Sequence, residues 1–506
     1  MGMQGNGVFF NYMPINNSNR VRYKNNFHKL AIKLERIVNT FHKDILIICN
    51  SNIHLSRNHP DLLNLWKPYV FNEKVTFNDI FTVIIKVVKS IFSFFLSTFL
   101  ELLKLAPGKI GSYSIPVQPE YFFISHLIKE ENTQNDFYYG SLIEDLVRLN
   151  IEVVRFVVPY EKISLKSRQK ETFKTFLLNS NLRKKEVILY FFMNIFSFFK
   201  LIFYCLRHKF SLYESSVILT GQLMNFSLVK IVLNLERAIK LFPPKNLVMT
   251  FEGNALERAV FFLCKLNGVK SYGYQHAPII ESQNSIFRIL KVGLNPDHIL
   301  CSGPFAATLF NSKLKSNIPI TILGHPKNNH YKEFRLKKLN NNLLLVPDGN
   351  AKSVDSLFAL GLDLSSLNSE IKVSIRSHPL QSNYLNDKFI NLLGKIPNNF
   401  RISDSDLNVD LDTNYWVVYR NSSTCLEAIF AGCEVIHYSH PNSNIDPLWG
   451  AAKLHQVASG PTSVLRIVTS PKKRSHKQAH LLLAFAMNYF SPLKPQALIN
   501  IKSMDI

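Results

Sequence analysis

Cysteine is scarce: there are six in 506 residues, at positions 49, 205, 264, 301, 425 and 433, and no pair has metal-ligand spacing. They stand singly, mostly inside apolar runs, and read as reduced core thiols, which excludes a disulfide-stapled secreted scaffold. Acids are also few, 36 Asp and Glu against 59 Lys and Arg, and the net charge of +23 draws the chain toward polyanions. Zinc-finger spacing, an RNP-like strand and a long basic helix are all missing, so an anionic lipid surface is expected as partner and nucleic acid is not. Residues 1–26 are polar and Asn-rich with no apolar signal core, which predicts a disordered tail and a cytoplasmic chain. No repeat of solenoid period runs through the sequence.

What is present is a large apolar inventory. Hydrophobic residues make up 46% and charged residues 19%, enough for two or three packed domains. Two long apolar stretches stand out. Residues 81–105 are interrupted by Lys86 and Lys89, and residues 187–206 by Lys200. Basic residues flank the second on both sides, Arg183, Lys184 and Lys185 before it and Arg207 and Lys209 after it, so the positive-inside rule assigns no orientation. Three readings stay open: a buried helix, a helix lying in the headgroup plane, or a span.

From about residue 43, short apolar runs alternate with helical patterns, the signature of parallel sheets with crossover helices. Strands are expected at 44–49, 121–125, 151–158, 246–251, 270–274, 298–301 and 318–323. Helices are expected at 140–150, 223–240 and 254–267, the last closed by Gly268. A helical insertion falls near 166–210. The Lys- and Asn-rich segment 327–342 breaks the pattern and is read as a domain boundary. Beyond it come strands at 343–346, 372–375, 416–419 and 434–437, with helices at 353–360, 385–393 and 424–431. The basic run Lys472-Lys473-Arg474 leads into a last helix at 477–489. The fold class predicted is α/β: two Rossmann-like domains facing a cleft, with the helical insertion in the N-terminal half. The boundaries are 1–26 for the tail, 27–330 and 340–475 for the two units, and 476–506 for a C-terminal helix and tail.

Ligands of such sheets bind at the C-terminal ends of strands, and the polar motifs fall there. Glu252, in Phe251-Glu252-Gly253-Asn254, is a candidate general base at a strand-to-helix turn; the alternative is a first-turn acid with Asn254 as N-cap. Gln275 and His276 follow the next strand and are placed facing the cleft. In the second unit His378-Pro379 ends a strand, where His378 can donate to phosphate oxygen as charge develops. Ser422, Ser423 and Thr424 open a helix and form a phosphate cradle, with Glu427 one turn in, within reach of a ribose hydroxyl. Asp348 and Gly349 follow the first strand of the second unit and read equally well as a turn with a helix cap.

In combination, Glu252-Gly253, His378-Pro379 and Ser422-Ser423 resemble the motifs of GT-B glycosyltransferases, in particular the bacterial capsule and lipopolysaccharide enzymes that use CMP-activated acidic sugars. The stretch from Glu427-Ala428 to Gly432-Cys433-Glu434-Val435-Ile436 is similar to a segment common in GT-B enzymes, with Glu434 in place of its proline. Phe251 stands where the sialyltransferase motif has its first acid. Tyr139-Gly140 and the residues that follow look like a broader class of surface-polysaccharide biosynthesis proteins. The resemblance implies an inverting, metal-independent transfer with Glu252 and His276 catalytic. His378, Pro379, Ser422, Ser423, Thr424, Glu427, Asp348 and Gly349 are then nucleotide-binding, and Tyr139, Gly140, Asn254 and Gln275 acceptor-binding. It implies a nucleotide-sugar donor, a CMP-sugar first, and no separate cofactor. The acceptor is then a glycan or lipid-linked glycan at the inner face of a bacterial plasma membrane. A CDP-glycerol-type polyol-phosphate transferase, a nucleotide-sugar epimerase and a non-catalytic assembly protein are the competing readings.

Overall fold

The computed structural model describes residues 17–54, 66, 68, 74–103, 119–127, 136–159, 173–178, 182–223, 226–281, 283, 285–288, 290–291, 293–314, 316–330, 337–378, 381–392, 394–439, 446–469 and 476–503. Pro379, the run Lys472-Lys473-Arg474 and residues 1–16 of the expected tail lie outside them.

Two parallel sheets form the frame. The first holds β1 (Tyr121–Leu127), β2 (Val153–Pro159), β3 (Lys174–Leu177), β4 (Asn246–Thr250), β5 (Lys270–Gln275), β6 (His298–Cys301) and β7 (Ile320–Ile322). Its order is β3-β2-β1-β4-β5-β6-β7. The second holds β8 (Asn342–Val346), β9 (Lys372–Arg376), β10 (Phe400–Ser403), β11 (Trp416–Tyr419), β12 (Glu434–Tyr438) and β13 (Gln456–Ala458), ordered β10-β9-β8-β11-β12-β13. Every pairing is parallel. Both sheets therefore reverse strand order once, between β1 and β4 and between β8 and β11, which is where a doubly wound sheet opens its ligand crevice. Central strands such as β4, β11 and β12 are buried at every residue, because helices cover both faces and no alternation with polar residues is needed.

One expected strand is a helix. Residues 44–49 fold as the Ile45–Ile48 helix, with the Asp44 carboxylate accepting from the Leu46 and Ile47 amides. A run this short has no period that separates strand from buried helix, and the N-cap decided it. Strands β3, β10 and β13 and the Pro495–Ser503 helix had no strong sequence signal. The helical region after β3 comprises the Lys184–Arg207, Leu212–Leu223 and Phe226–Leu241 helices, joined by Asn17–Thr40 and Phe77–Leu103 from the N-terminus. The buried-core reading of the two long apolar stretches does not hold. The most apolar windows of Phe77–Leu103 and Lys184–Arg207 are only 17% and 28% buried, although both helices are long and apolar enough to cross a membrane.

The C-terminal segment straps the two halves together. Leu482, Tyr489 and Phe490 pack with Leu344, Tyr419 and Leu426 of the second sheet, whereas Leu498 and Ile501 pack with Tyr121 and Phe123 of the first. At the crossover the Tyr489 hydroxyl donates to the Ile279 carbonyl at 2.8 Å, and the Tyr489 carbonyl accepts from the Ser302 hydroxyl at 3.0 Å. Since Tyr489 is fully buried, Tyr489→Ala is expected to cost about 3–5 kcal/mol in urea unfolding, as a large aromatic cavity does. A loss below about 1 kcal/mol would show that the crossover is not a structural joint.

Candidate functional site

The site is assembled from loops at the C-terminal ends of strands in both sheets. After β1, Asp136 is buried; its carboxylate accepts from the Tyr138 and Tyr139 amides and lies 3.4 Å from Arg155. That pair fixes a turn which exposes Phe137 and leaves Tyr138 half-buried, its ring edge-on to His276 at 4.7 Å. Tyr139 turns the other way. It is fully buried, and its hydroxyl donates to the Ile124 carbonyl at 2.9 Å, so it props the β1–β4 junction and does not reach an acceptor. Gly140 has φ +54, and a Cβ there would lie 2.3 Å from the Pro326 side chain. Its role is close approach: it lets the loop after β7 reach the loop after β1.

That second loop carries Lys327. Its ammonium lies 2.5 Å from the Glu427 carboxylate and 3.3 Å from the Ser423 hydroxyl, both beyond β11 in the other sheet, and 6.0 Å from the centre of the Phe137 ring. Beside it, His325 stacks on Phe490 at 3.8 Å, and its Nδ1 accepts from the Lys327 amide. Burial, then Lys327 and His276, push His325 well below the usual histidine range, so it is a neutral positioning group.

The turn bearing Glu252 lies on the same edge, because β4 sits between β1 and β5. Glu252 is 5% exposed. Its carbonyl accepts from the Ser285 hydroxyl at 2.8 Å, and Gly253, at φ +81, allows the Ser285 carbonyl to approach. Glu257 locks this turn from within, accepting from the amides of Glu252, Gly253 and Asn254 at 2.8, 2.6 and 3.0 Å. Burial and then Glu252 raise its pKa. Asn254 caps the Ala255–Leu266 helix through the Glu257 amide, and Gln275 is buried with its side chain bonded to Ser302 and the Ala277 carbonyl. Both side chains are thus engaged within the protein, Asn254 at the helix start and Gln275 between β5 and β6.

In the second sheet, Asp348 and Asn421 bridge the strand-order reversal with a 3.0 Å hydrogen bond. The Gly349 carbonyl accepts from Gln381. Ser422 is buried and donates to the Thr424 hydroxyl, while Ser423 faces Lys327. Glu427 is engaged by Lys327, which replaces the expected ribose contact. The helix behind these hydroxyls, Thr424–Phe430, spans only two turns, and the positive charge at the cradle comes from Lys327. His378 is half-buried, with its electrostatic neighbours Asp348 and Lys327; burial lowers its pKa.

Lys327, Phe137 and Tyr138 were missed by sequence reading, which placed Lys327 in a linker. One signal was available: His325-Pro326 follows β7 as His378-Pro379 follows β9, so the second loop repeats a pattern already singled out in the first.

Among the described residues, one group offers metal-ligand atoms together, His437, Asp446 and His455, within 4.8 Å of one another. Asp446 lies 2.9 Å from His455 and accepts from the Tyr419 hydroxyl at 2.9 Å, an arrangement that joins β11 to the segment between β12 and β13. Burial pushes the Asp446 carboxyl up, but the His455 hydrogen bond and both imidazoles outweigh it and hold the group below its usual range.

No protein-family model matches the chain, and no curated protein matches it in sequence. Among solved structures, the S. aureus MnaA–UDP complex is similar at 12% identity and TM-score 0.46, covering 76% of this chain and 96% of that one. The glycosyltransferase SnogD from Streptomyces nogalater gives 10% and 0.46, with 77% and 100% covered. The UDP-GlcNAc 2-epimerase from Methanocaldococcus jannaschii gives 10% and 0.45, with 76% and 99% covered. The fold class rests on the two strand orders, and substrate has to be argued from this chain's own residues.

Two outcomes are expected here. Gly140→Val, by forcing Pro326 away and straining a backbone at φ +54, is expected to cost about 1–3 kcal/mol in urea unfolding; unchanged stability would show that the loops after β1 and β7 do not pack together. The His378 ring resonance titrates below 6.5, the ordinary value. Because a lowered histidine pKa means the unfolded chain binds the extra proton first, this group's contribution to stability is present above 6.5 and is lost on acidification.

Proposed function

We propose that the chain transfers a sugar from a nucleotide donor to a glycan acceptor, with inversion and without a divalent cation. The observation that carries the reading is the position of Lys327, a cation from the loop after β7 held against the serine and glutamate that follow β11 in the other sheet. A buried-edge ammonium, a serine hydroxyl and a neutral imidazole supply hydrogen bonds and charge to a departing phosphate. In this mechanism Glu252 accepts the proton of the acceptor hydroxyl, whose oxygen attacks the anomeric carbon from the face opposite the phosphate. His276, against Tyr138, orients the acceptor. Lys327, Ser423 and His378 stabilise the leaving oxygen, and breaking the C–O bond returns the electron pair to the nucleotide.

A CMP-activated acidic sugar is the donor to test first, since one lysine, one histidine and the Ser423 hydroxyl suit a single phosphate. The acceptor is a surface polysaccharide or a lipid-linked glycan, met at the cytoplasmic face of a bacterial plasma membrane.

The experiment is a thermal-shift panel of CMP, CDP, UDP and GDP, followed by transfer assays with the sugar form of the nucleotide that stabilises most, because a ligand of the folded state raises the melting temperature. Glu252→Gln is expected to retain nucleotide stabilisation and lose transfer by about a hundredfold or more. Epimerised free donor with no transfer would replace this reading by a nucleotide-sugar epimerase. Activity abolished by chelator and restored by Mg²⁺ would remove the metal-independent mechanism.

A further inference from the structure

The helices Phe77–Leu103 and Lys184–Arg207 leave most of their apolar surface uncovered. The stripe each turns toward the protein is mixed: Ser90, Thr98 and Glu101 are buried beside Val83 and Phe94 on the first, and Asn194 and Ser197 beside Val187, Tyr190, Leu201 and Cys205 on the second. The polar groups are satisfied there. Glu101 pairs with Lys230 at 3.0 Å, Asn194 accepts from Gln222 at 2.8 Å, and Ser197 donates to Asp44 at 3.0 Å. The stripe each turns outward is apolar: Phe77, Phe92, Phe99, Phe192, Phe196 and Phe203 are between 58% and 79% exposed. The helices touch through Phe94 and Phe191, stacked at 5.5 Å, so the two outer stripes merge into one face. In water such exposure is unfavourable, because a soluble helix buries its apolar stripe. It is the arrangement expected where the surrounding medium is hydrocarbon and polar side chains serve as contacts between helices.

Charge selects the kind of surface. Arg183, Lys184 and Lys185 open the second helix and Arg207 and Lys209 close it, all exposed, and Lys89 is exposed on the first. Two ends of one helix carry the same sign, which fits a helix lying along an anionic leaflet with cations at headgroup level. Attachment fixes the orientation. The N-terminal end is held by Glu186 to Arg237, in the helix that runs into β4. The C-terminal end is held through Lys200–Asp44 and Phe41–Tyr204 to the Asn17–Thr40 region, itself fastened to the first lobe by Glu35–Arg288 and Asn39–Lys291. Both ends thus stay with one protein body. Lys89, midway along its helix, would sit at bilayer depth in a span but snorkels to the headgroups from a helix lying flat.

We infer that these two helices form a monotopic membrane seat, inserted side-on into the headgroup and upper acyl region of an anionic phospholipid leaflet. The seat requires nothing of the chemistry proposed above. The test is flotation of the full chain with vesicles of phosphatidylcholine alone or with about 30% phosphatidylglycerol, at low salt and at about 1 M salt. The chain is expected to float with the anionic vesicles and to remain bound at high salt, since inserted apolar surface is not screened. The variant Phe92→Ser/Phe99→Ser/Phe192→Ser/Phe203→Ser is expected to lose at least tenfold of the salt-resistant fraction while keeping its circular dichroism and its thermal shift with nucleotide. Complete release of the unmodified chain by salt overturns the inference. So does a discrete dimer that the variant converts to monomer while neither floats, because the face then belongs to a second copy. Phe99→Trp is expected to be quenched most by bromine placed shallow in the acyl chain; strongest quenching by deep bromine would make the helix a span and overturn the side-on seat.

Discussion

The Lys327 ammonium lies 2.5 Å from the Glu427 carboxylate and 3.3 Å from the Ser423 hydroxyl, and the lysine follows the last strand of the first sheet while its partners belong to the second. Lys327 is about a quarter exposed and Glu427 largely buried, so the pair is screened less than a surface salt bridge. Much of the nearby architecture bears on this contact. Gly140 clears the space for Pro326, Asp136 and Arg155 hold the facing turn, and His325 stacked on Phe490 fixes the backbone from which the lysine extends. The C-terminal strap, bonded through Tyr489 to Ile279 and Ser302, keeps the two sheets at the separation the contact needs.

The parallel sheets were legible in the sequence because buried strands such as Asn246–Thr250 and Trp416–Tyr419 are continuous apolar runs bounded by polar turns. Edge strands β3 and β13 were not, since partly exposed edges mix polar and apolar residues. The polar motifs of the second sheet fell at the C-terminal ends of strands, where strand ends and helix caps are locally encoded. The loops of the first sheet were harder to read. Tyr139 carries the same aromatic signal as Phe137 and Tyr138, and only the turn set by Asp136 decides which rings face the cleft. Gln275 and Asn254 are consumed by hydrogen bonds to Ser302 and to the Glu257 amide, contacts that no local pattern announces. Lys327 was hidden by composition: it begins a Lys- and Asn-rich stretch that reads as a linker, and its partners lie about a hundred residues away.

The long apolar helices show a related limit. Composition left buried helix, flat helix and span undivided, and the structure adds that both helices leave most of their apolar windows uncovered. Ser90, Thr98, Asn194 and Ser197 are scattered polar interruptions in the sequence, yet in space all four are buried on the inner side of the helices. The first lobe thereby carries two different surfaces, a polar crevice at the strand ends and an apolar flank on its helices.

The most direct test of the central claim, that a phosphate-bearing ligand sits between the two sheets on Lys327, is amide hydrogen exchange with and without the stabilising nucleotide. Slowed exchange in both 323–330 and 420–427 is the result the account predicts. Protection confined to the second sheet, with 323–330 unchanged, would contradict it.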